Sequence, residues 1–468
     1  MELEDTGRTS EILVIDEILQ IDSVKKLVRA HSKSLVIDAI NTVLDEVKQA
    51  AMEMDEEERK EKGALLKPSD LVPLIAELVE RLAATSTKRV INATGEVSSH
   101  LLGQPCLSPE SLVGLAGTAT GYSNSEFDLE TGKRRPYAEY AERILCNLTK
   151  CEAAAVTTSG GAALFLVLKV LAEEKSVVVS RQELVEIGES FRIPNIIAES
   201  RACVKAVGTV NKTYVKDYLD AISSEVAILL KVRASCVGGE ESVSEQDLAR
   251  FAGEHSIPFV EYLDYGALID LSRQGYCPGL TASDCLTSGA DVVVFEGQKL
   301  LGSPQAGVIL GKKKYVLKIK RHPLTQALRT DRLTLAGLEA NLESYLDPEQ
   351  VVAKVPVFSM LAASLTTLRA RAFELAKRLE EKLGSSFQIE VEEKRPEGVS
   401  DVSPKESPST YVVTVKVDNA PVTDILTTLR RFSPPVIAKT EGDKIILDMR
   451  TIRPEEIGEV ASSFNSFV

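Results

Sequence analysis

Four stretches carry residues that could do chemistry together. Lys299 follows the apolar run "DVVVF" in "DVVVFEGQKLLGSPQAG". A primary amine at a strand end can condense with a carbonyl group, or it can be a solvated turn lysine. Asp264 closes a second apolar run in "FVEYLDYG", 35 residues earlier. Such an acid caps a turn, or it keeps a heteroaromatic ring nitrogen protonated so that the ring can draw electrons. "TTSGGAAL", 157–164, turns a strand into a helix. The free amides of Gly160 and Gly161, with the Thr158 and Ser159 hydroxyls, suit a phosphate; an ordinary capped helix start has the same composition. Arg329, with Lys320, Arg321 and Arg332, makes a basic cluster in an acidic chain. It is either an anion site or a solvated helix face.

These residues need a scaffold that brings strand ends together. From "RVINATG" onward, short apolar runs alternate with helical patterns: "AAAVTT", "SVVVS", "VAILLKV", "IPFVEYLD", "ADVVVFEG" and "AGVILGK". Runs of this length separated by helices predict a parallel sheet with helical crossovers, covered on both faces. Ligands bind at the carboxyl ends of such strands, where all four features fall. Residues 11–50 show helical periodicity instead, with Val36, Ile40, Val43 and Val47 on one stripe. "MDEEERKEKG" reads as a solvated linker or helix end. After residue 356 a long helix leads to a strand, helix, hairpin and helix. Three domains are expected: helical 1–65, α/β 66–345 with a leading linker helix, and a small α/β domain 346–468.

Bulk composition narrows the function classes. The 468 residues carry a net charge of −14 and no tryptophan. General nucleic-acid binding needs many cations set against phosphates, so it is disfavoured, although a local basic patch is not. Seven cysteines without a CxxC pair suggest thiols in a reducing compartment. The four histidines show no zinc-ligand spacing. No apolar run approaches the roughly 20 residues that span a bilayer. A cytoplasmic protein without membrane partners is expected.

Phosphate turn, acid, lysine and small C-terminal domain, in that order, form the layout of α/β, aspartate-aminotransferase-like (fold type I) pyridoxal-phosphate enzymes. "RVINATG", "SNSEFDLETGKRR", "VVSRQELVEIGESFRIPNI", "FEGQKLLGSPQAG" and "PLTQALRTDRLTLAGLEANL" go further. Through them the chain resembles the bacterial selenocysteine synthase family, L-seryl-tRNA(Sec) selenium transferase, from about residue 11 to 460. The resemblance implies that Lys299 carries pyridoxal 5'-phosphate with Asp264 as ring partner; the family's Asn-rich phosphate turn is replaced here by "TTSGGAAL", in which Thr158, Ser159, Gly160 and Gly161 remain chemically competent for the phosphate. It implies a homo-oligomer, generally a decameric ring of dimers, whose N-terminal domain grips tRNA(Sec) charged with serine. It also implies selenophosphate as selenium donor, bound near Arg329 and the positions of Gln326 and Gln104, with Arg321 among the cations available to substitute there.

The chain departs from the family pattern at charged positions. Arginine is usual where Gln104 and Gln326 stand, and aspartate where Gln298 stands. A charged hydrogen bond is worth roughly 1.5–3 kcal/mol, so two lost arginines would weaken an anion site by orders of magnitude unless another cation substitutes. Two other readings therefore stand beside the first. One is a related pyridoxal-phosphate amino-acid or amino-sugar lyase; the other is a non-catalytic tRNA-binding homologue.

Overall fold

The computed structural model describes residues 15–53, 67–83, 87–99, 101–103, 105–187, 191–234, 243–270, 281–383, 387–395, 408–417 and 421–467. His100, Gln104 and the charge run 54–63 lie outside these residues. Contacts divide the chain into two units, Met1–Arg89 and Val90–Val468.

The first unit contains helices α1 (Asp22–Ala30), α2 (Lys33–Glu53) and α3 (Val72–Ala83). Val36, Ile40 and Val43 recur at helical spacing and are buried against Val24, Ile75 and Val79. The sequence alone groups α3 with the larger domain, as a linker helix. In the structure Leu71, Ile75, Leu78 and Val79 bury in the N-terminal core, because their apolar stripe finds its partners on α1 and α2.

The second unit holds two main sheets. The larger has seven strands: β2 (Ala153–Thr157), β3 (Ser176–Ser180), β6 (Cys203–Val207), β7 (Val226–Arg233), β8 (Phe259–Leu263), β9 (Val292–Glu296) and β10 (Gly307–Gly311). Their spatial order is β2-β10-β9-β8-β7-β3-β6. Every position of β8 and β9 is buried. Phe259, Leu263, Val293 and Phe295 face one core, which includes α5 (Glu245–Glu254); Val260, Tyr262, Val292 and Val294 face the other, built on α4 (Gly160–Ala172). A strand covered on both sides has no reason to alternate polar and apolar residues, which explains the continuous runs. One strand departs from the expected parallel sheet. β10 runs antiparallel to both β2 and β9, because the loop after β9 is too short for a crossover helix.

A hairpin of β4 (Glu186–Ile187) and β5 (Phe191–Arg192) sits apart from this sheet. The smaller sheet has the order β1-β13-β14-β12-β11, from β1 (Ile91–Ala93), β11 (Phe387–Lys394), β12 (Thr410–Val417), β13 (Val436–Glu441) and β14 (Lys444–Asp448). Its core takes Leu368, Leu375 and Leu379 from one long helix, Leu365–Leu383. The expected boundary at residue 346 therefore misses one strand, since β1 pairs in parallel with β13.

Close packing at the start of β10 tests this description. A Cβ on Gly307 would lie 1.9 Å from the Ser159 carbonyl oxygen, whereas one on Gly253 in α5 would meet nothing within 4 Å. Gly307→Ala is expected to lower the urea-unfolding free energy by about 1–3 kcal/mol. Gly253→Ala is expected to raise it by up to about 1 kcal/mol. Similar effects from both would contradict the packing at β10.

Candidate active site

β8 and β9 are parallel neighbours with Leu263 opposite Phe295, so the segments that leave them emerge at one sheet edge. There Lys299 Nζ lies 2.8 Å from Asp264 Oδ1 and 2.7 Å from Oδ2. The two residues are 5% and 3% exposed. Burial on this scale removes both charges from water, and only close mutual pairing offsets the cost.

The lysine loop is held from several sides. Gly297 N–H donates to Ala306 O at 2.7 Å and Ser303 N–H to Gly297 O at 3.2 Å, closing the loop at its base. Leu300 N–H donates to Tyr265 O at 3.0 Å, tying the lysine loop to the aspartate loop. Asn341 Nδ2, on helix α6 (Arg332–Ser344), and the Tyr345 hydroxyl donate to Leu301 O at 2.8 and 2.9 Å. Gly302 has φ +64°, a left-handed turn that glycine adopts without strain.

The expected phosphate turn adjoins this loop. A Cβ on Gly160 would meet the Glu296 backbone at 3.0 Å, and Gly266, next to the aspartate turn, packs on the Glu296 carbonyl. The turn also reaches the basic segment, because Thr158 N–H donates to Leu328 O at 2.9 Å. Lys299, Asp264, Thr158, Ser159, Gly160 and Gly161 thus meet at one edge. The amides at the helix start are not all free, however. Ala162 N–H donates to Ser159 Oγ at 3.1 Å and Gly160 N–H to Glu296 Oε2 at 2.8 Å. Burial pushes the Glu296 carboxyl upward from the usual range. The residue closes the apolar run "DVVVFE", and an acid at the end of so hydrophobic a stretch was the signal available in sequence.

Arg329 and Gln326 line a cavity of about 650 Å3 together with Ser123, Glu126, Tyr137 and Arg332. Arg329 Nη1 lies 2.8 Å from Glu126 Oε1, and the guanidinium stacks 4.6 Å from the centre of the Tyr137 ring. With its amide oxygen turned toward the guanidinium, Gln326 accepts from Arg329 Nε at 3.3 Å and Nη1 at 3.1 Å. Arg134 bonds the other Glu126 oxygen at 2.6 Å, and the two arginines hold Glu126 below the usual carboxylate range. Arg321 is exposed and does not line the cavity. Lys320 is engaged at 2.5 Å by Glu142.

A second set of charges supports the aspartate. Lys231, Arg233 and Glu261 sit on the α5 face of β7 and β8. Lys231 and Arg233 both pair with Glu245, and Arg233 Nε lies 3.4 Å from Glu261 Oε2. Glu183 accepts the Val232 N–H at 2.9 Å. Burial pushes Glu183 up to about 7 and Lys231 down to about 8. The Arg233 carbonyl accepts the Asp264 N–H at 2.9 Å, which fixes the backbone that presents the carboxylate. Lys231, Arg233 and Glu261 belong to strand runs that are otherwise apolar, where periodicity gives no sign of their partners.

The donor set fits pyridoxal phosphate. Lys299 offers an amine, Asp264 a carboxylate for a ring nitrogen, and Thr158, Ser159 and Gly161 offer hydroxyls and an amide for phosphate. Only the Glu296 carboxylate is out of keeping. Among the described residues, no group of three or more His, Cys, Asp or Glu could hold a metal ion. No helix there is long and apolar enough to cross a membrane.

Comparison with known proteins agrees with this chemistry. The family model "L-seryl-tRNA selenium transferase" matches residues 90–453. The chain is similar to the L-seryl-tRNA(Sec) selenium transferase of Geobacter sulfurreducens, 38% identical over 466 residues, covering 97% of this chain and 98% of that protein. It is 34% identical over 457 residues to the protein of that name from Clostridium botulinum strain Langeland, covering 97% of each. Among solved structures, D-glucosaminate-6-phosphate ammonia-lyase shares the fold, with a TM-score of 0.60 at 17% identity over 83% of this chain and 97% of that one.

The Lys299–Asp264 pair predicts a non-additive mutant cycle. Lys299→Met or Asp264→Leu alone leaves one buried charge without its partner and should cost about 3–5 kcal/mol in urea unfolding. The double variant should recover at least half of the summed loss. Additive losses would mean that the two charges are not coupled.

Proposed function

Because this chain belongs to the family of L-seryl-tRNA selenium transferases, we propose that it converts seryl-tRNA(Sec) to selenocysteyl-tRNA(Sec), using pyridoxal 5'-phosphate and selenophosphate. The observation that carries this reading is the buried Lys299–Asp264 pair beside the start of α4. The family match over nearly the whole chain, N-terminal unit included, favours it over a small-molecule lyase or a non-catalytic tRNA-binding homologue.

Lys299 would hold the cofactor through its amine, with Asp264 on the ring nitrogen and Thr158, Ser159 and Gly161 on the phosphate. Bound there, pyridoxal phosphate supplies the electron sink that loss of a proton at the seryl α-carbon requires. With its amine free, Lys299 Nζ would accept that α-proton and return a proton to the departing β-hydroxyl. Arg329 attracts the selenium donor's anionic oxygens, and Glu126 must then share or surrender its hold on the guanidinium. Gln326 adds a neutral hydrogen bond where a second cation would add charge. Arg321, exposed and outside the cavity, is assigned no part in the anion site.

The N-terminal unit is assigned to tRNA binding. Exposed apolar side chains at Leu101, Leu112, Val113, Tyr122 and Leu129 support a homo-oligomer, since they fall within one short stretch of chain.

The test is conversion of serylated tRNA(Sec) with selenophosphate by the purified protein. Product should form with the wild type, and Lys299→Ala should abolish both product and the visible cofactor absorbance. Arg329→Ala should lower kcat/KM for selenophosphate about 10- to 100-fold, the equivalent of one charged hydrogen bond, with cofactor absorbance retained. Turnover of a free amino acid without any tRNA product would sink the proposal.

A further inference from the structure

The Glu296 carboxylate occupies a seat built for an anion. Oε2 accepts the Gly160 N–H at 2.8 Å, and Oε1 accepts the Gly297 N–H at 3.1 Å. Two backbone amides thus converge on it, one of them at the positive end of the 13-residue helix α4. The side chain is enclosed, with the residue 8% exposed. The same helix start, with Ser159 and Gly161, is where the cofactor phosphate belongs in the reading above. A carboxylate and a phosphate cannot share one amide nest without like-charge repulsion in a poorly solvated place.

We propose that Glu296 is an internal stand-in for the cofactor's phosphate: its carboxylate fills the anion seat at the start of α4 and must leave the Gly160 amide when the phosphate arrives. Glu296 thereby limits how tightly the phosphorylated cofactor binds. It has no such effect on an aldehyde lacking the phosphate. The inference rests on assigning the site to pyridoxal phosphate.

The experiment compares pyridoxal 5'-phosphate with unphosphorylated pyridoxal. Each is titrated into cofactor-free wild type, Glu296→Gln and Glu296→Ser, and binding is followed by the visible absorbance that each aldehyde gains on joining Lys299. Both substitutions should tighten pyridoxal phosphate about 10- to 100-fold, the equivalent of one charged hydrogen bond, while pyridoxal changes by less than about twofold. The serine variant gives a second measurement if the glutamine variant folds poorly, and urea unfolding of each variant reports that directly. Equal changes for both aldehydes, or weaker binding of pyridoxal phosphate, would overturn the role of Glu296. If neither aldehyde gains absorbance even in the wild type, the assignment of the site to this cofactor falls, and the inference with it.

Discussion

Two opposite charges withdrawn from water at the ends of adjacent strands set the terms for the rest of the second unit. Buried charges of this kind each need a partner, and in this structure Lys299 and Asp264 lie within hydrogen-bonding distance of each other. The pairing of β8 with β9 sets the strand ends abreast. The Arg233 carbonyl fixes the aspartate backbone, and the Tyr265 carbonyl fixes the lysine loop. Apolar packing on both sheet faces keeps water away, which makes the pairing strong and a missing partner costly.

A common theme joins the cofactor edge to the cavity beside it. In each, a carboxylate of the chain rests on donors that the proposed function gives to an incoming anion. Glu126 rests on Arg329, and Glu296 rests on the Gly160 amide. Both donors are therefore satisfied internally, as buried or half-buried donors need to be. An incoming anion has to be worth more than the carboxylate it displaces. The dianionic character of a phosphate group gives it that advantage over a single carboxylate.

Much of this was legible in sequence, and the limits have a physical pattern. The strands were visible because burial on both faces leaves uninterrupted apolar runs. Lys299 and Asp264 stood out because charged residues closing such runs need a reason. Direction was not visible: "AGVILG" reads the same whether β10 runs parallel or antiparallel. Nor could the pairing of β1 with β13 be seen, since it joins distant parts of the chain. Helix α3 was found, but its stripe does not say which core it joins. Partner choice hid the rest. Gln326 reads as a lost charge, yet it is an acceptor for Arg329. Glu296 ends strand β9, and only the structure shows its carboxylate buried against the start of α4. Periodicity is a local property, and each of these depends on what another segment supplies.

The fastening of the lysine loop has a consequence for timing. Its backbone is tied at the base, to the aspartate turn, and through Leu301 to Asn341 and Tyr345. The attachment point of the Lys299 side chain is therefore stationary, and its mobile part is a chain of four methylenes ending in the amine. Exchange of that amine between a carboxylate, a cofactor and a proton is then a change of rotamer about a fixed pivot, without any opening of the loop. Side-chain hops are far faster than loop rearrangements. A reaction that needs one amine in several successive positions is thereby relieved of a slow step at this residue, and its pace is left to the arrival and release of the large substrate.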